Sequence, residues 1–244
     1  MGERHVFIAD VHLKRDERAK RDALIRLLAE LAGPGTHLYI LGDLFDIWIG
    51  PRQLTDQPEM KPVIDAMKRF VDAGGELVFF HGNRDYYIAD WLTEKCGAET
   101  VRENKTVDLG GRRAWLTHGD LLCTGDRVYH FVRWCIRNRL AVAVYLTLPA
   151  SLRYGLATFY MGVSASKKGE RRATRHGISP AAIKRIVRRG ADLIICGHVH
   201  YPVDQVWREG GREARLIALA PWTDCGSALE FAAGEFSLRR IDFA

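Results

Sequence analysis

Five times along this chain a run of apolar residues breaks off at a side chain able to ligate a metal. The segments are Ile8-Ala9-Asp10-Val11-His12, Leu41-Gly42-Asp43, Phe80-His81-Gly82-Asn83, Leu116-Thr117-His118 and Ile195-Cys196-Gly197-His198-Val199-His200. Short apolar runs bounded by glycine and polar turn residues read as buried β-strands. In open α/β sheets, ligands bind outside the carboxyl ends of the strands. The pattern therefore brings two Asp, four His and one Asn towards one rim. Each segment alone is ordinary, since Gly-Asp and Gly-Asn are common turn pairs and a strand-end His is often just buried or solvated. All five together, in order, are not. The other histidines (His5, His37, His130, His176) fit no such pattern and read as surface or core residues.

The intervening sequence supports an α/β chain. Strands are predicted at His5–Ala9, His37–Leu41, Glu76–Phe80, Arg112–Thr117 and Asp192–Cys196. Leu24, Leu27, Leu28 and Leu31 recur at helical spacing within Arg18–Ala32, before Gly33-Pro34-Gly35. A second helix is predicted at Pro58–Ala73, before Gly74-Gly75. A third opens at Ser179-Pro180, an N-cap followed by proline at the first helical position, and runs to Arg189. The C-terminal part alternates short strands with glycine turns: Val203–Arg208, Ala214–Leu219, Ser227–Phe231 and Phe236–Ile241. The 244 residues suit one domain, 1–244, with a helical insertion at about 127–172.

Charge is unevenly distributed. Between Arg127 and Arg189 there are fourteen Lys or Arg and one acid, Glu170, although the whole chain carries only +6. Such a block suggests an anionic partner: phosphate esters, nucleic acid or an anionic membrane face. The same block holds the apolar stretch AVAVYLTLPASLRYGLATFYMG, with Tyr145, Tyr154, Phe159 and Tyr160 interleaved. Basic, aromatic and apolar residues on helices are the composition of an interfacial element, or of a helical hairpin packed on the main body. The longest apolar run, Leu140–Pro149, is far short of a membrane span. The first residues run directly into a strand, without the apolar region of a signal peptide. Five cysteines without a CxxC pair argue against a disulfide framework and for a reducing cytoplasm, and Cys123 and Cys196 read as buried, inert thiols.

Imidazole mixed with oxygen ligands suits Mn²⁺, Fe or Zn²⁺ better than Ca²⁺ or Mg²⁺. Seven ligands exceed the needs of one ion, so a pair is expected, about 3.5–4 Å apart across a bridging carboxylate.

The segments DVH, GD, GNRD, a later H and GHVH resemble the calcineurin-like metallophosphoesterase superfamily. The resemblance implies a four-layer αββα sandwich of mixed sheets with a helical cap insertion. It implies two divalent ions, expected to be Mn²⁺. One ion would be held by Asp10, His12 and His200, the other by Asn83, His118 and His198, with Asp43 bridging. Asp43, Asn83, Arg84 and His118 would carry the reaction. Arg84 stands where many members have a histidine. An always-charged guanidinium is a poor general acid but a good clamp on phosphate oxygens, which suits a phosphate leaving group. ILGDLFDIWIG, HGNRD and THGDLLCTGD are most similar to the lipid A branch, which hydrolyses the diphosphate of UDP-2,3-diacylglucosamine to UMP and 2,3-diacylglucosamine 1-phosphate. That likeness implies a UDP-sugar lipid substrate touched by Asn83, Arg84, Asp126, His198 and the cap residues Ser164, Lys168 and Arg171. It also implies a cytoplasmic protein peripheral on the anionic face of the inner membrane, with no nucleic acid and no obligate protein partner. The alternatives are a metallophosphoesterase acting on another nucleotide diphosphate or phosphodiester, a nuclease, and a non-catalytic module of the same fold.

Overall fold

The computed structural model describes residues 3–51, 53–123, 137–158 and 177–243. Eleven strands among them form two mixed sheets. The first has the order β11-β10-β1-β2-β3-β4 and the second β5-β6-β7-β9-β8. The strands are β1 (Arg4–Ile8), β2 (Thr36–Ile40), β3 (Glu76–Phe80), β4 (Glu99–Val101), β5 (Asn104–Leu109), β6 (Arg112–Thr117), β7 (Leu193–Cys196), β8 (Val203–Glu209), β9 (Arg212–Ala218), β10 (Gly226–Ala232) and β11 (Glu235–Ile241).

Three apolar clusters account for the layering. Between the sheets lie Phe7, Tyr39, Val78 and Phe80 from the first and Leu116, Ile195 and Ile217 from the second. Outside the first sheet, the helix Arg18–Leu31 buries Leu24, Leu27, Leu28 and Leu31, and the helix Lys61–Asp72 buries Val63, Met67 and Phe70. Outside the second sheet, the helix Pro180–Arg188 buries Ile183, Ile186 and Val187. Each such side chain contributes about 1.5–3 kcal/mol on burial. The αββα order expected from the resemblance is thus present, and β1, β2 and β3 are apolar on both faces because helices cover one and the second sheet the other.

Parallel pairing sets the rim. β1, β2 and β3 run parallel, as do β6, β7 and β9, so each set ends together. The antiparallel strands β10, β11, β5 and β8 lie outside these sets.

Some local expectations change. The helix predicted at Pro58–Ala73 is a 3₁₀ turn, Pro58–Met60, followed by the helix Lys61–Asp72, because Pro62 lacks an N–H and favours a helical start. Ser179 has an N-cap backbone, but its side chain makes no cap hydrogen bond. Cys196 is buried, and burial raises its pKa, whereas Cys123 is only half-buried, at the edge of the described residues. Strands β4 and β5 and the helix Ala89–Cys96 were not anticipated.

The described part of the insertion is the helix Arg139–Thr147, capped by Asn138, and a further helical stretch at 150–158. It is anchored on the core. Tyr145 stacks on Tyr87 at 4.5 Å, and buried Arg153 donates to the Ile49 carbonyl. None of the helices among the described residues is long and apolar enough to cross a membrane.

Candidate metal centre

Every one of the seven anticipated ligands sits just beyond the carboxyl end of a parallel strand: Asp10 and His12 after β1, Asp43 after β2, Asn83 after β3, His118 after β6, His198 and His200 after β7. The backbone there is strained. Asp10 (φ 51°), His12 (47°), Asp43 (53°), His198 (68°) and His200 (60°) occupy the left-handed region, and Ala233 is the sole other non-glycine residue to do so among the described residues. Each such conformation costs on the order of 1–3 kcal/mol and is retained where function demands it. Glycines let the ends close on one another. A Cβ on Gly42 would stand 2.7 Å from His118 Nδ1, and one on Gly197 would stand 2.6 Å from Asp10 Oδ2.

Two groups of donors result. In the first, ligand atoms of Asp10, His12, Asp43 and His200 all lie within 4.8 Å of one another. His12 Nε2 and His200 Nε2 are 3.2 Å apart, and each is 3.7 Å from Asp10 Oδ1. In the second, Asn83 Oδ1 is 3.1 Å from both His118 Nε2 and His198 Nδ1, which are 3.2 Å from each other. Asp43 joins them. Its Oδ2 stands 3.9 Å from His12 Nε2 and 3.8 Å from His118 Nε2, while its Oδ1 accepts the backbone N–H groups of Asn83 and Arg84 at 2.8 and 3.0 Å. One oxygen is thus fixed by backbone donors and the other faces both groups.

The donor set fits cations. The Leu41 carbonyl, which can only accept, lies 2.7 Å from His118 Nδ1 and so places the proton of a neutral ring there. The lone pair of Nε2 then faces the Asn83 amide oxygen and Asp43, an arrangement of acceptors that a positive ion resolves. Electrostatics agree. Burial would raise the Asp43 carboxyl, but His118, His12, Arg84 and His198 outweigh it and hold it at about 2. Burial would lower His118, but the Asp43, Asp10 and Asp120 carboxylates raise it instead. An ionised Asp43 beside an imidazole that draws positive charge is a site built to hold cations.

Supporting residues appear that were not singled out from the sequence. Buried Asp85 accepts the backbone N–H groups of Leu44 (2.7 Å), Gly82 (3.1 Å), Asp43 (3.3 Å) and Phe45 (3.4 Å), knitting the Gly42 and Gly82 turns together. Burial first, then Asp43 beside it, push Asp85 up to about 7. Its signal was the last residue of the GNRD segment. Arg84 pairs with Asp46 at 2.5 Å, and Asp46 lies in the same turn sequence as Asp43. Arg137 donates to the Gly82 carbonyl at 2.9 Å, stands 3.6 Å from Asp120 and lies over the Tyr86 ring. A single arginine in a basic run carries no signal of that kind. His81 packs against Tyr86 at 4.7 Å between ring centroids, with the planes tilted by 56°. Asp126, Ser164, Lys168 and Arg171 lie outside the described residues.

Comparison with known proteins gives the same picture. The family model described as calcineurin-like phosphoesterase matches residues 4–202. The UDP-2,3-diacylglucosamine hydrolase of Aeromonas salmonicida (strain A449) is 33% identical over 236 residues, covering 96% of this chain and 92% of that protein. The protein of the same description from Stenotrophomonas maltophilia (strain K279a) is 34% identical over 241 residues, covering 96% of each. Among solved structures, an archaeal phosphodiesterase shares the fold with a TM-score of 0.51 at 11% identity, covering 98% of this chain and 99% of its own.

Proposed function

The chain belongs to the calcineurin-like phosphoesterases and is a metal-dependent hydrolase of that family, and on that premise we propose that its substrate is UDP-2,3-diacylglucosamine, cleaved at the diphosphate to UMP and 2,3-diacylglucosamine 1-phosphate. The observation that carries this reading is a cavity of about 350 Å³ beside the ligand rim. Tyr86, Tyr87 and Trp91 line it from the core, Val142 and Leu146 from the insertion, and Arg137 joins it to the Gly82 turn. A mainly apolar chamber against a phosphate-handling rim suits a substrate with acyl chains at one end and a diphosphate at the other. The similarity to proteins described as UDP-2,3-diacylglucosamine hydrolase supports the same substrate.

Asp10, His12 and His200 would hold one ion and Asn83, His118 and His198 the other, shared through Asp43; Mn²⁺ suits these donors. When bound, such ions supply Lewis acidity towards phosphoryl oxygens and acidify water. The residues of the chain do the positioning. Asp85 keeps the two turns together, Asp43 is aimed by the Asn83 and Arg84 N–H groups, and Asn83 and His198 would also meet a phosphoryl oxygen of the substrate. Arg84, oriented by Asp46, offers a cation to the departing phosphate, which needs no proton. Asp126, together with Ser164, Lys168 and Arg171 from the cap spanning about 127–172, would contact the UDP-sugar lipid.

We further propose peripheral docking on an anionic, cytoplasmic membrane face. Leu140 (73% exposed), Val144 (54%), Leu152 (50%) and Leu156 (46%) stand out on the insertion, in the segment of greatest positive charge. Exposed apolar side chains on an insertion rich in Lys and Arg would give reversible binding.

The test is UMP release from UDP-2,3-diacylglucosamine in detergent with Mn²⁺, beside a soluble nucleotide diphosphate and Asp43→Ala. Rapid release, absent in the variant and slow on the soluble compound, is the expected result. Metal-dependent cleavage of only the soluble compound would overturn the lipid substrate.

A further inference from the structure

The opposite rim of the first sheet carries a second cluster of ligating side chains. Parallel register sets His5 of β1 beside His37 of β2, and His37 beside Glu76 of β3. All three lie at the amino ends of their strands. His5 is five residues before Asp10, about 16 Å at β-strand rise from the candidate metal centre.

We propose that Glu3, His5 and His37, with Glu76 beside them, form a separate binding site for a borderline transition ion of the zinc class. One ligand atom from each of Glu3, His5 and His37 lies within 4.8 Å of the others. His5 Nε2 is 3.7 Å from Glu3 Oε2, and His37 Nδ1 is 3.0 Å from Glu76 Oε2. The two rings stack at 4.6 Å with planes 11° apart. Two imidazoles with carboxylates suit Zn²⁺, Ni²⁺ or Cu²⁺ and not Ca²⁺ or Mg²⁺.

The surroundings favour capture. His5 is held from behind by Tyr39, whose hydroxyl is 3.3 Å from Nδ1, and by Phe231. That leaves Nε2 facing Glu3. Burial, and then His37 beside it, hold His5 below its ordinary pKa, so its lone pair is available at neutral pH. The Glu3 and Glu76 side chains are 74% and 72% exposed, so an ion can enter from solvent. Ligand atoms around a tetrahedral ion lie roughly 3.3 Å apart, from bonds of about 2 Å. A tilt of the His37 ring out of the stack and rotation of the two glutamates close the remaining gap. The bound ion would tie the start of β1 to β2 and β3.

The full chain, stripped with chelator, is titrated with Zn²⁺ alone, and bound zinc is counted by equilibrium dialysis for wild type, His37→Gln, Glu3→Gln and His12→Ala. Wild type is expected to bind one equivalent more than His37→Gln, and His12→Ala to keep that equivalent. Co²⁺ should give a d–d contribution that survives in His12→Ala and is missing from His37→Gln, whose spectrum keeps only the absorption of the rim centre. Glu3→Gln, at an exposed position, should weaken zinc binding at least tenfold with the metal-free melting temperature unchanged, which guards against a folding defect in His37→Gln. Equal stoichiometry in wild type and His37→Gln, or Glu3→Gln binding as wild type, overturns the proposal. The readout uses no enzymatic activity, so its failure is distinct from failure of the proposed substrate.

Discussion

The Asp85 carboxylate accepts the backbone N–H of Leu44 at 2.7 Å, and through that bond the turn after β3 holds the turn after β2. Asp43 and Asn83 sit on those two turns, so the separation of the ligand groups depends on a residue outside both groups. Asp85→Ala would strand buried N–H groups and is expected to cost about 3 kcal/mol. Asp85→Asn, which puts an amide N–H or a weaker acceptor against these donors, should leave the chain folded but weaken metal binding by about 10–100-fold. Urea midpoints and Mn²⁺ titrations check both.

The Oδ2 of Asp43 faces both donor groups. Asp43→Ala is expected to abolish phosphoesterase turnover by at least about a hundredfold, more than loss of any supporting partner. Asp10→Ala should weaken binding of one ion and leave the Asn83–His118–His198 group able to take the other. Metal counting by atomic absorption alongside the assay separates the two outcomes.

Arg137 joins the insertion to the rim through the Gly82 carbonyl and Asp120. Arg137→Met should lower kcat about tenfold, by analogy with other supporting contacts, and weaken metal binding. Arg137→Lys retains the charge but not the fork and should recover only part of the loss. Unchanged kcat and unchanged metal binding in Arg137→Met, or full recovery in the lysine variant, would rule out this role.

Ala143 lines the chamber on the helix Arg139–Thr147. Ala143→Trp fills that space and is expected to raise KM for the diacyl substrate at least tenfold. Cleavage of a small soluble phosphodiester at the metal rim should be unaffected. Equal effects on both substrates would show that acyl chains do not enter there.

His5 makes stability depend on pH. Its folded pKa lies below the ordinary 6.5 because it is buried, and next because His37 adjoins it. As pH falls through 6.5 the unfolded chain takes up a proton that the folded chain does not, so stability declines until the lower folded pKa is reached. In metal-free protein the urea midpoint should fall between pH 7.5 and 5.5, and His5→Phe should flatten that segment of the curve.

Much of the centre was legible in the chain because parallel strands repeat one grammar. Ile8-Ala9-Asp10 and Leu116-Thr117-His118 each join the buried end of a strand to a ligand, and a residue after a strand end needs no partner to be noticed. Asp85 was harder to see, since its partners are backbone N–H groups of Asp43, Leu44 and Phe45 some forty positions away. Asp46 and Arg137 are ordinary charged residues until folding brings them against Arg84 and Gly82. Strand β4 is three residues long, too short for periodicity to register.

By itself the sequence placed seven candidate ligands at strand ends along one rim, because strand-end chemistry is a local property, while the layer order came from the family resemblance that their motifs carry. Tertiary structure alone decided the geometry by which the two groups are joined. Which oxygen of Asp43 faces both groups follows from the Asn83 and Arg84 N–H groups that occupy the other one, and the approach of His118 follows from the empty side of Gly42. These are matters of ångströms between segments remote in the chain, set by packing two sheets against each other, and no local pattern encodes them.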